Sequence, residues 1–566
     1  MKWNQISDAR RILSRETGTV VKDWGGKLAV ALIYPNTYHV GMSSLGMQTL
    51  YRLFNERSDV VCERAFYSGL SLSQHPPPPV SIETQRPLTD FSLIAFTLSY
   101  EMDYFNVVQM LVSAGIPVLS QERDDRWPLI VSGGPAVSSN PEPLALFFDA
   151  ICIGEGEEII GQLADACIGD HVTRDSTLAA WSKIPGMYVP GVSTNESTSR
   201  IPVQRQWVRD LALHPTHSVV LTPDTEFGNL YLIEIARGCG RGCRFCLAGY
   251  LYRPPRERPV EMLLEQALVG MGYRDRIGLV SAATSDYGRI EDLVDGLRRL
   301  GARFSVSSLR ADSLSETLVK ALSESGAQTL TIAPEAGDEC LREVINKTQS
   351  ETELLQAVTW ADTYHLPQLK LYFMVGHPSE TDQDMDSLVN LVLEARARFP
   401  RNLAVNLTPF VPKPHTPFQW AEMAAAGTVR ARQAYVKREL RGRRVDVKSD
   451  SAAWAEVQGV LARGDRRLAN VLLSMDRVSL PAWRRAMAEN GLTPEEFLRH
   501  RSLGEALPWQ VVDSGVNDAF LRREWRLSQS GRSSISCPPG AQGCVLCGAC
   551  DDRADADRAQ GSPTQG

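Results

Sequence analysis

No stretch of this 566-residue chain stays apolar for long; the best candidates are runs such as LALFFDAICIG. That falls short of the ~18 residues a membrane helix requires. The N-terminal MKWNQISDARRIL also lacks the apolar core of a signal peptide. A cytoplasmic location without a membrane partner is therefore expected. Charge of one sign is missing too: 60 Lys and Arg stand against 67 Asp and Glu, a net −7. No global polycation announces nucleic-acid binding, so only local patches can carry it. Cysteine is sparse at 11 residues. Without an export signal these are reduced thiols, which excludes a disulfide-stapled scaffold and turns attention to metal ligation wherever they cluster. No fixed-period repeat is present. What remains is 43% apolar and 22% charged, a globular composition. At about 150 residues per domain the length suits three to four domains.

Between about residues 26 and 180, short apolar runs alternate with helical-period segments. Strands are predicted at 28–35, 93–100, 129–134 and 150–154, with helices such as LGMQTLYRLFNER and DYFNVVQMLVSAG between them. This is the pattern of a doubly wound α/β domain, whose ligands bind outside the carboxyl ends of the strands. The loops that matter are therefore 35–38, 97–100, 133–135 and 154–157. Ser99, Gly133 and Gly134 lie in them, and Gly-Glu-Gly-Glu occupies the last. The prolines 76–79 read as an extended surface loop. After a polar, irregular stretch the alternation restarts, with strands predicted at 231–236, 276–282, 303–308, 329–334, 369–376 and 403–410. Six strand–helix units in line predict a parallel partial barrel with its site at the C-terminal strand ends. Beyond about residue 420 the predicted strands stop and Arg-rich helical sequence takes over.

The strongest chemical signal is IARGCGRGCRFCLAGY, which sets Cys239, Cys243 and Cys246 at Cys-x3-Cys-x2-Cys spacing directly after the first strand of the second half. Three thiolates on a glycine-rich loop can hold three irons of a 4Fe–4S cluster and leave the fourth open, whereas structural zinc needs a fourth protein ligand. A second group, CPPGAQGCVLCGAC, contains Cys537, Cys544, Cys547 and Cys550. Its tight run is closer to ferredoxin-type ligation than to a zinc ribbon, and an auxiliary 4Fe–4S cluster and zinc both stay open. The scattered Cys62, Cys152, Cys167 and Cys340 read as small hydrophobes.

On these residues the sequence resembles the radical S-adenosylmethionine (SAM) superfamily, with the aromatic Phe245 just before the last cysteine as the family prefers. The resemblance implies that SAM chelates the open iron and that one electron cleaves it to methionine and a 5′-deoxyadenosyl radical. It further implies SAM contacts at Ser281 and Ala282, where the family's usual glycines are absent, and at Glu335, Arg342 and Gly376. The segment VSGGPAVSSNPEPLALFFDAICIGEGEE, with IAFTLSY before it, resembles the cobalamin-binding domain of one large radical SAM class. There is no Asp-x-His-x-x-Gly, since His39 is flanked by Thr37 and Met42. Cobalamin would then lack a protein histidine beneath cobalt, and a vestigial domain stays open as the alternative. Over nearly its whole length the chain is most similar to a narrower, functionally uncharacterised radical SAM family, on NTYHVGMSSLGMQTLY, GCRFCLAGYLYRPPRERP, PEAGDECLREVINK, FVPKPHTPFQW and the C-terminal cysteines.

The expected fold class is thus α/β, with a Rossmann-like, cobalamin-type doubly wound domain (1–190) and a linker (191–228). A partial (βα)6 radical SAM barrel (229–420), a helical C-terminal region (421–536), a cysteine-rich metal motif (537–550) and a disordered tail (551–566) follow. Arg253, Arg256 and Lys413 are candidate anchors for an anionic substrate or SAM. Arg430, Arg432, Lys437, Arg438, Arg441, Arg443 and Arg444 form the best candidate RNA-facing patch, against the plainer reading of a solvated helix face. The favoured reaction is cobalamin-dependent methyl or one-carbon transfer to an unactivated carbon, with a reductant such as flavodoxin or ferredoxin as partner. The alternatives are sulfur insertion, as in methylthiolation of tRNA, and a non-catalytic iron–sulfur redox sensor.

Overall fold

The computed structural model describes residues 3–68, 77–169, 171–191, 201–537 and 547–550. Its N-terminal sheet contains β1 (Leu28–Tyr34), β2 (Val60–Phe66), β3 (Leu93–Thr97), β4 (Leu129–Gly133), β5 (Ala150–Cys152) and β6 (Met187–Tyr188), in the order β2-β1-β3-β4-β5-β6. All neighbours are parallel except the β5–β6 pair. The chain reverses direction across the sheet between β1 and β3, the switch point where doubly wound sheets open a ligand crevice. Buried parallel strands are apolar on both faces. In β1, Ala29, Ala31 and Ile33 enter one core while Leu28, Val30, Leu32 and Tyr34 enter the other.

One face is covered by helices from the same half, Leu45–Glu56, Ile160–Asp165 and Arg174–Trp181. The opposite face takes Tyr104–Ala114 and, from the far end of the chain, Ala452–Arg463, Leu468–Leu473 and Leu480–Glu489. Val457, Leu461, Leu472 and Trp483 of those distant helices share a core with Phe96, Phe105 and Phe148. The helical C-terminal region is therefore the second layer of the N-terminal sheet.

The second half is an open arc of parallel strands: β7 (Leu230–Glu234), β8 (Arg276–Val280), β9 (Arg303–Val306), β10 (Thr329–Glu335), β11 (Gln368–Val375), β12 (Asn402–Pro409) and β13 (Val445–Ser449). Two sheets, β9-β8-β7 and β10-β11-β12-β13, are joined by a parallel bridge between Leu309 and Ile332. Six of these strands are the ones expected from sequence. The seventh, β13, corrects the expectation that strands end near 420: its VDVKS alternates half-buried and exposed residues on the sheet edge, so it lacks an apolar run. Also unpredicted was β2, because VVCERAF carries charges. In the fold Arg64 is 1% exposed and lies 2.7 Å from both Glu16 and Glu83. In the stretch expected as a linker, Val203–Gln204 pairs with Val512–Asp513. Among the described residues no helix is long and apolar enough to cross a membrane.

Candidate active site

After β7 the chain pairs briefly with itself, Arg237 opposite Arg256 and Ala236 opposite Glu257, and the closed excursion between these pairs carries the three cysteines. Gly238, at φ +83°, begins it; a Cβ there would stand 2.2 Å from the Tyr252 carbonyl oxygen, so only glycine fits. The loop is rooted from beneath. Buried Arg244 lies 3.1 Å from Glu524 on the helix Asp518–Gln529 and donates to the carbonyls of Glu343, Val344 and Arg532, while the Tyr250 hydroxyl donates to the Gly242 carbonyl. Phe245 packs against the aromatic cluster of Phe410, Phe418 and Trp525.

Cys243 is buried, and Cys239 and Cys246 are half-buried. Each thiol has a donor: the Arg241 backbone for Cys239, the Ala248 and Gly249 backbones for Cys246, and Arg310 Nη1 at 3.4 Å for Cys243. Among the described residues no three ligand-type side chains converge on a point for a single ion. A soft three-sulfur donor set served by N–H groups therefore fits an iron–sulfur cluster.

Above the loop lies a cavity of about 450 Å³ that joins the two halves. That is within the usual size range of ligand pockets. The N-terminal half contributes Ser99, Gly133 and Gly134 at its strand ends, with Leu45, Leu50, Phe96 and Cys152 as apolar walls; the barrel contributes Glu234, Arg237, Gly238, Tyr252, Ser281 and Ala282. Gly134, at φ +110°, lets its backbone press on Leu98, where a Cβ would meet the carbonyl oxygen at 2.5 Å. Thr49, Thr97 and Ser132 also line the cavity, and their buried hydroxyls have no hydrogen-bond partner within the protein. Buried polar atoms are rarely left so. A large apolar chamber with glycine-edged strand ends, and three unpartnered hydroxyls buried in its wall, fits a bulky ligand such as a corrinoid.

The charges at the seam are paired. Glu155, from the Gly-Glu-Gly-Glu turn, lies 2.7 Å from Arg256 and 2.8 Å from Arg237, and Arg237 also meets Glu157 at 2.9 Å and Glu234 at 3.0 Å. Burial alone would raise the Glu155 carboxyl, but the Arg256 and Arg237 guanidinium groups overcome it and hold it down at about 2. The turn on one half is thereby fastened to the residues just before Cys239 on the other.

Several expected site residues lie elsewhere. Glu335, Arg342 and Gly376 line neither this cavity nor the small one of about 40 Å³ beside Cys239. Arg342 is fully buried and donates to the carbonyls of Gln349, Ala336 and Gly337, so it holds a turn rather than facing the mouth. The Gly376 N–H donates to the Glu380 carboxylate, and a Cβ there would meet Val429 at 2.9 Å. Glu335 does end its strand with backbone in the left-handed region, φ 67°, and pairs with Lys347 at 2.9 Å. The proposed anchors are committed to protein partners: Lys413 to Glu101, Arg256 to Glu155, and Arg253 to the Gly249 and Gly240 carbonyls and the Cys537 sulfur. In the basic stretch Arg432 pairs with Glu380, Lys437 donates to Ser449 and Arg438 pairs with Glu439; Arg430, Arg441, Arg443 and Arg444 stand exposed.

Of the C-terminal cysteines, Cys544 lies outside the described residues. The Cys537 N–H donates to the Gly240 carbonyl at 2.9 Å, and Cys537 lines the small cavity with Cys239. Cys547 hydrogen-bonds Cys537 through its side chain, and Cys550 bridges to Val516. Cys537 thus lies against the first cysteine loop, with Cys547 beside it. Sequence reasoning missed Arg310 and the unpartnered hydroxyls of Thr49 and Ser132. Arg310 was findable, because it follows directly on a predicted barrel strand.

Comparison with known proteins supports the same reading. Residues 46–190 match the family described as radical SAM proteins, N-terminal, and residues 233–392 match the radical SAM superfamily. An uncharacterised protein of Methanocaldococcus jannaschii is 30% identical over 447 residues, covering 78% of this chain and 90% of that one. A tRNA-2-methylthio-N(6)-dimethylallyladenosine synthase of Pelotomaculum thermopropionicum is 24% identical over 41% of this chain and 54% of its own length. Among solved structures, the cobalamin-dependent SAM radical enzyme OxsB, with aqua-cobalamin and SAM bound, aligns with a TM-score of 0.50 at 13% identity, over 89% of this chain and 79% of that one.

Proposed function

This chain belongs to the radical SAM superfamily, and from that premise we propose that it is a cobalamin-dependent enzyme transferring a methyl or related one-carbon group to an unactivated carbon. The observation that carries the reading is the cavity that the switch-point end of the doubly wound sheet shares with Gly238, Ala248 and Tyr252 of the loop that carries the cysteines, while Cys239 itself lines the small cavity beside it. OxsB, described as cobalamin-dependent, is similar in fold.

In this reading Cys239, Cys243 and Cys246 would hold a 4Fe–4S cluster, three thiolates for four irons. When bound, the cluster supplies the electron that cleaves SAM reductively, and cobalamin supplies a carrier for the one-carbon group. The chain's own residues bind, orient and exclude water. Ser281 and Ala282 border the SAM side, while Ser99, Gly133 and Gly134 bring backbone to the corrinoid side, with the Thr49, Thr97 and Ser132 hydroxyls in the wall beside them. The Glu155–Arg237–Arg256 network closes the seam, so that reacting groups meet away from bulk water.

The test is anaerobic reconstitution of the full chain with iron and sulfide, then an optical titration with hydroxocobalamin and a dithionite-driven assay for 5′-deoxyadenosine. Cluster, corrinoid binding and deoxyadenosine together support the reading. Deoxyadenosine without corrinoid binding removes its cobalamin part, and a cluster without SAM cleavage supports the redox-sensor alternative.

A second reading has its own support. Cys537 touches the catalytic loop at Gly240, and part of the chain is similar to a tRNA methylthiolation enzyme. Under it Cys537, Cys544, Cys547 and Cys550 carry a second metal centre, a 4Fe–4S cluster or zinc, and sulfur is inserted into an RNA that meets the exposed Arg430, Arg441, Arg443 and Arg444. A methylthiolated product distinguishes it, and eight irons per chain rather than four make the second centre a 4Fe–4S cluster rather than zinc.

A further inference from the structure

The three thiols of the catalytic loop are not equivalent. Cys239 and Cys246 accept from neutral backbone N–H groups, whereas Cys243, the most buried at 7% exposed, faces a guanidinium. Arg310 reaches it from the loop after β9 and is itself 8% exposed. Its orientation is fixed from behind. Nε and Nη2 each lie 3.0 Å from one oxygen of Asp312, a bidentate fork that leaves Nη1 for the Cys243 sulfur at 3.4 Å. Asp312 is held in turn by Arg241, which lies between Cys239 and Cys243 and also grips Asp286 through Nε at 2.7 Å and Nη2 at 2.5 Å. The Arg310 backbone N–H donates to Ser285 Oγ. Two barrel strand ends and the cysteine loop therefore converge on one cation beside one sulfur.

We propose that Arg310 is a positioning residue for the catalytic cluster, fixing the Cys243 thiolate and raising the cluster's reduction potential through a charge-assisted N–H···S bond. This rests on the cluster reading above. Reduction adds one electron, taken from an external low-potential one-electron donor, and makes the cluster and its thiolates more negative by one charge. A buried cation in contact with a ligand sulfur stabilises that state more than the oxidised one. Net charge and hydrogen bonds to the sulfurs are what tune such potentials. Lysine keeps the charge but not the fork, so it cannot be locked on Asp312 while reaching the sulfur.

The experiment uses the full chain, reconstituted anaerobically, as wild type, Arg310→Gln and Arg310→Lys. Iron per chain is counted, and the cluster is titrated with dithionite and redox mediators under EPR detection, without SAM. Arg310→Gln is expected to shift the reduced-to-oxidised ratio at a fixed applied potential about tenfold toward oxidised, which is about 59 mV for a one-electron couple. Arg310→Lys falls between it and wild type. A fully loaded Arg310→Gln cluster with the wild-type potential overturns the proposal. If Arg310→Gln does not hold iron, Arg310→Lys decides: an unchanged potential there overturns it and a lowered one supports it. A wild-type chain that forms no redox-active cluster fails at the earlier step, the cluster reading itself.

Discussion

The two walls of the central cavity solve the same problem with different chemistry. Both are built from C-terminal ends of parallel strands, yet the N-terminal wall is glycine, hydroxyl and hydrocarbon, while the barrel wall is a lattice of paired charges around a thiol loop. A neutral wall with unpartnered hydroxyls suits a large ligand that brings its own hydrogen-bonding groups. The charges around the cysteine loop, on that wall and behind it, fix a small constellation to high positional precision, because each guanidinium of Arg237, Arg241 and Arg310 is committed to two or more partners. Binding breadth and chemical placement are thus divided between the two halves of the fold.

The division can be broken most severely on the barrel side. Replacing Cys239, Cys243 or Cys246 with Ala is expected to cut 5′-deoxyadenosine formation to the no-enzyme background, with the loss of the cluster's irons in the same sample, since three thiolates are the minimum that leaves one iron open. A variant that keeps both iron and SAM cleavage would remove its cysteine from the site.

Next comes the seam. Glu155→Gln leaves buried Arg256 without its carboxylate, and breaking a buried pair in this way costs about 3–5 kcal/mol. Thermal or denaturant unfolding of the variant should show that loss at pH 7. The pH dependence follows from the sign. Because the folded carboxyl is held at about 2 against an ordinary 4.5, its stabilisation is fully present above 4.5 and fades as the pH falls toward 2. At full extent this is worth about 3 kcal/mol. The gap between wild type and variant should close over that acid range; a constant gap would mean that Glu155 acts through packing alone.

The smallest effect sharpens the neutral wall. Thr97→Val and Ser132→Ala remove hydroxyls that have no partner within the protein, so folding stability should change little. Hydroxocobalamin binding should weaken by about 0.5–1.5 kcal/mol each, the net worth of an ordinary hydrogen bond. Unchanged affinity in both would move the corrinoid away from these strand ends.

What was legible in the sequence follows the same divide. The strands of the N-terminal sheet and barrel announce themselves where burial demands unbroken apolar runs, as in LAVALIY of β1. The β2 strand hid because Arg64 is neutralised by Glu16 and Glu83, partners far from it in the chain. The packing of Ala452–Arg463 and its neighbours on the N-terminal sheet was equally invisible, since helical periodicity shows an apolar face but not what it meets. At the site, the cysteine spacing pointed to one loop and the glycine-bordered loops to one cavity wall. Arg342 and Gly376 are held in turns, which a charged or glycine residue at a strand end serves as readily as it serves a ligand. Long-range partners such as Arg310 with Cys243 exist only after folding.

The central claim is that both walls serve one cavity, and the most direct measurement is the EPR spectrum of the full chain carrying both a reduced cluster and cob(II)alamin. The account predicts that the two paramagnets broaden or split each other's signals, as neighbours in a shared chamber must. A spectrum equal to the simple sum of cluster alone and cob(II)alamin alone would contradict it.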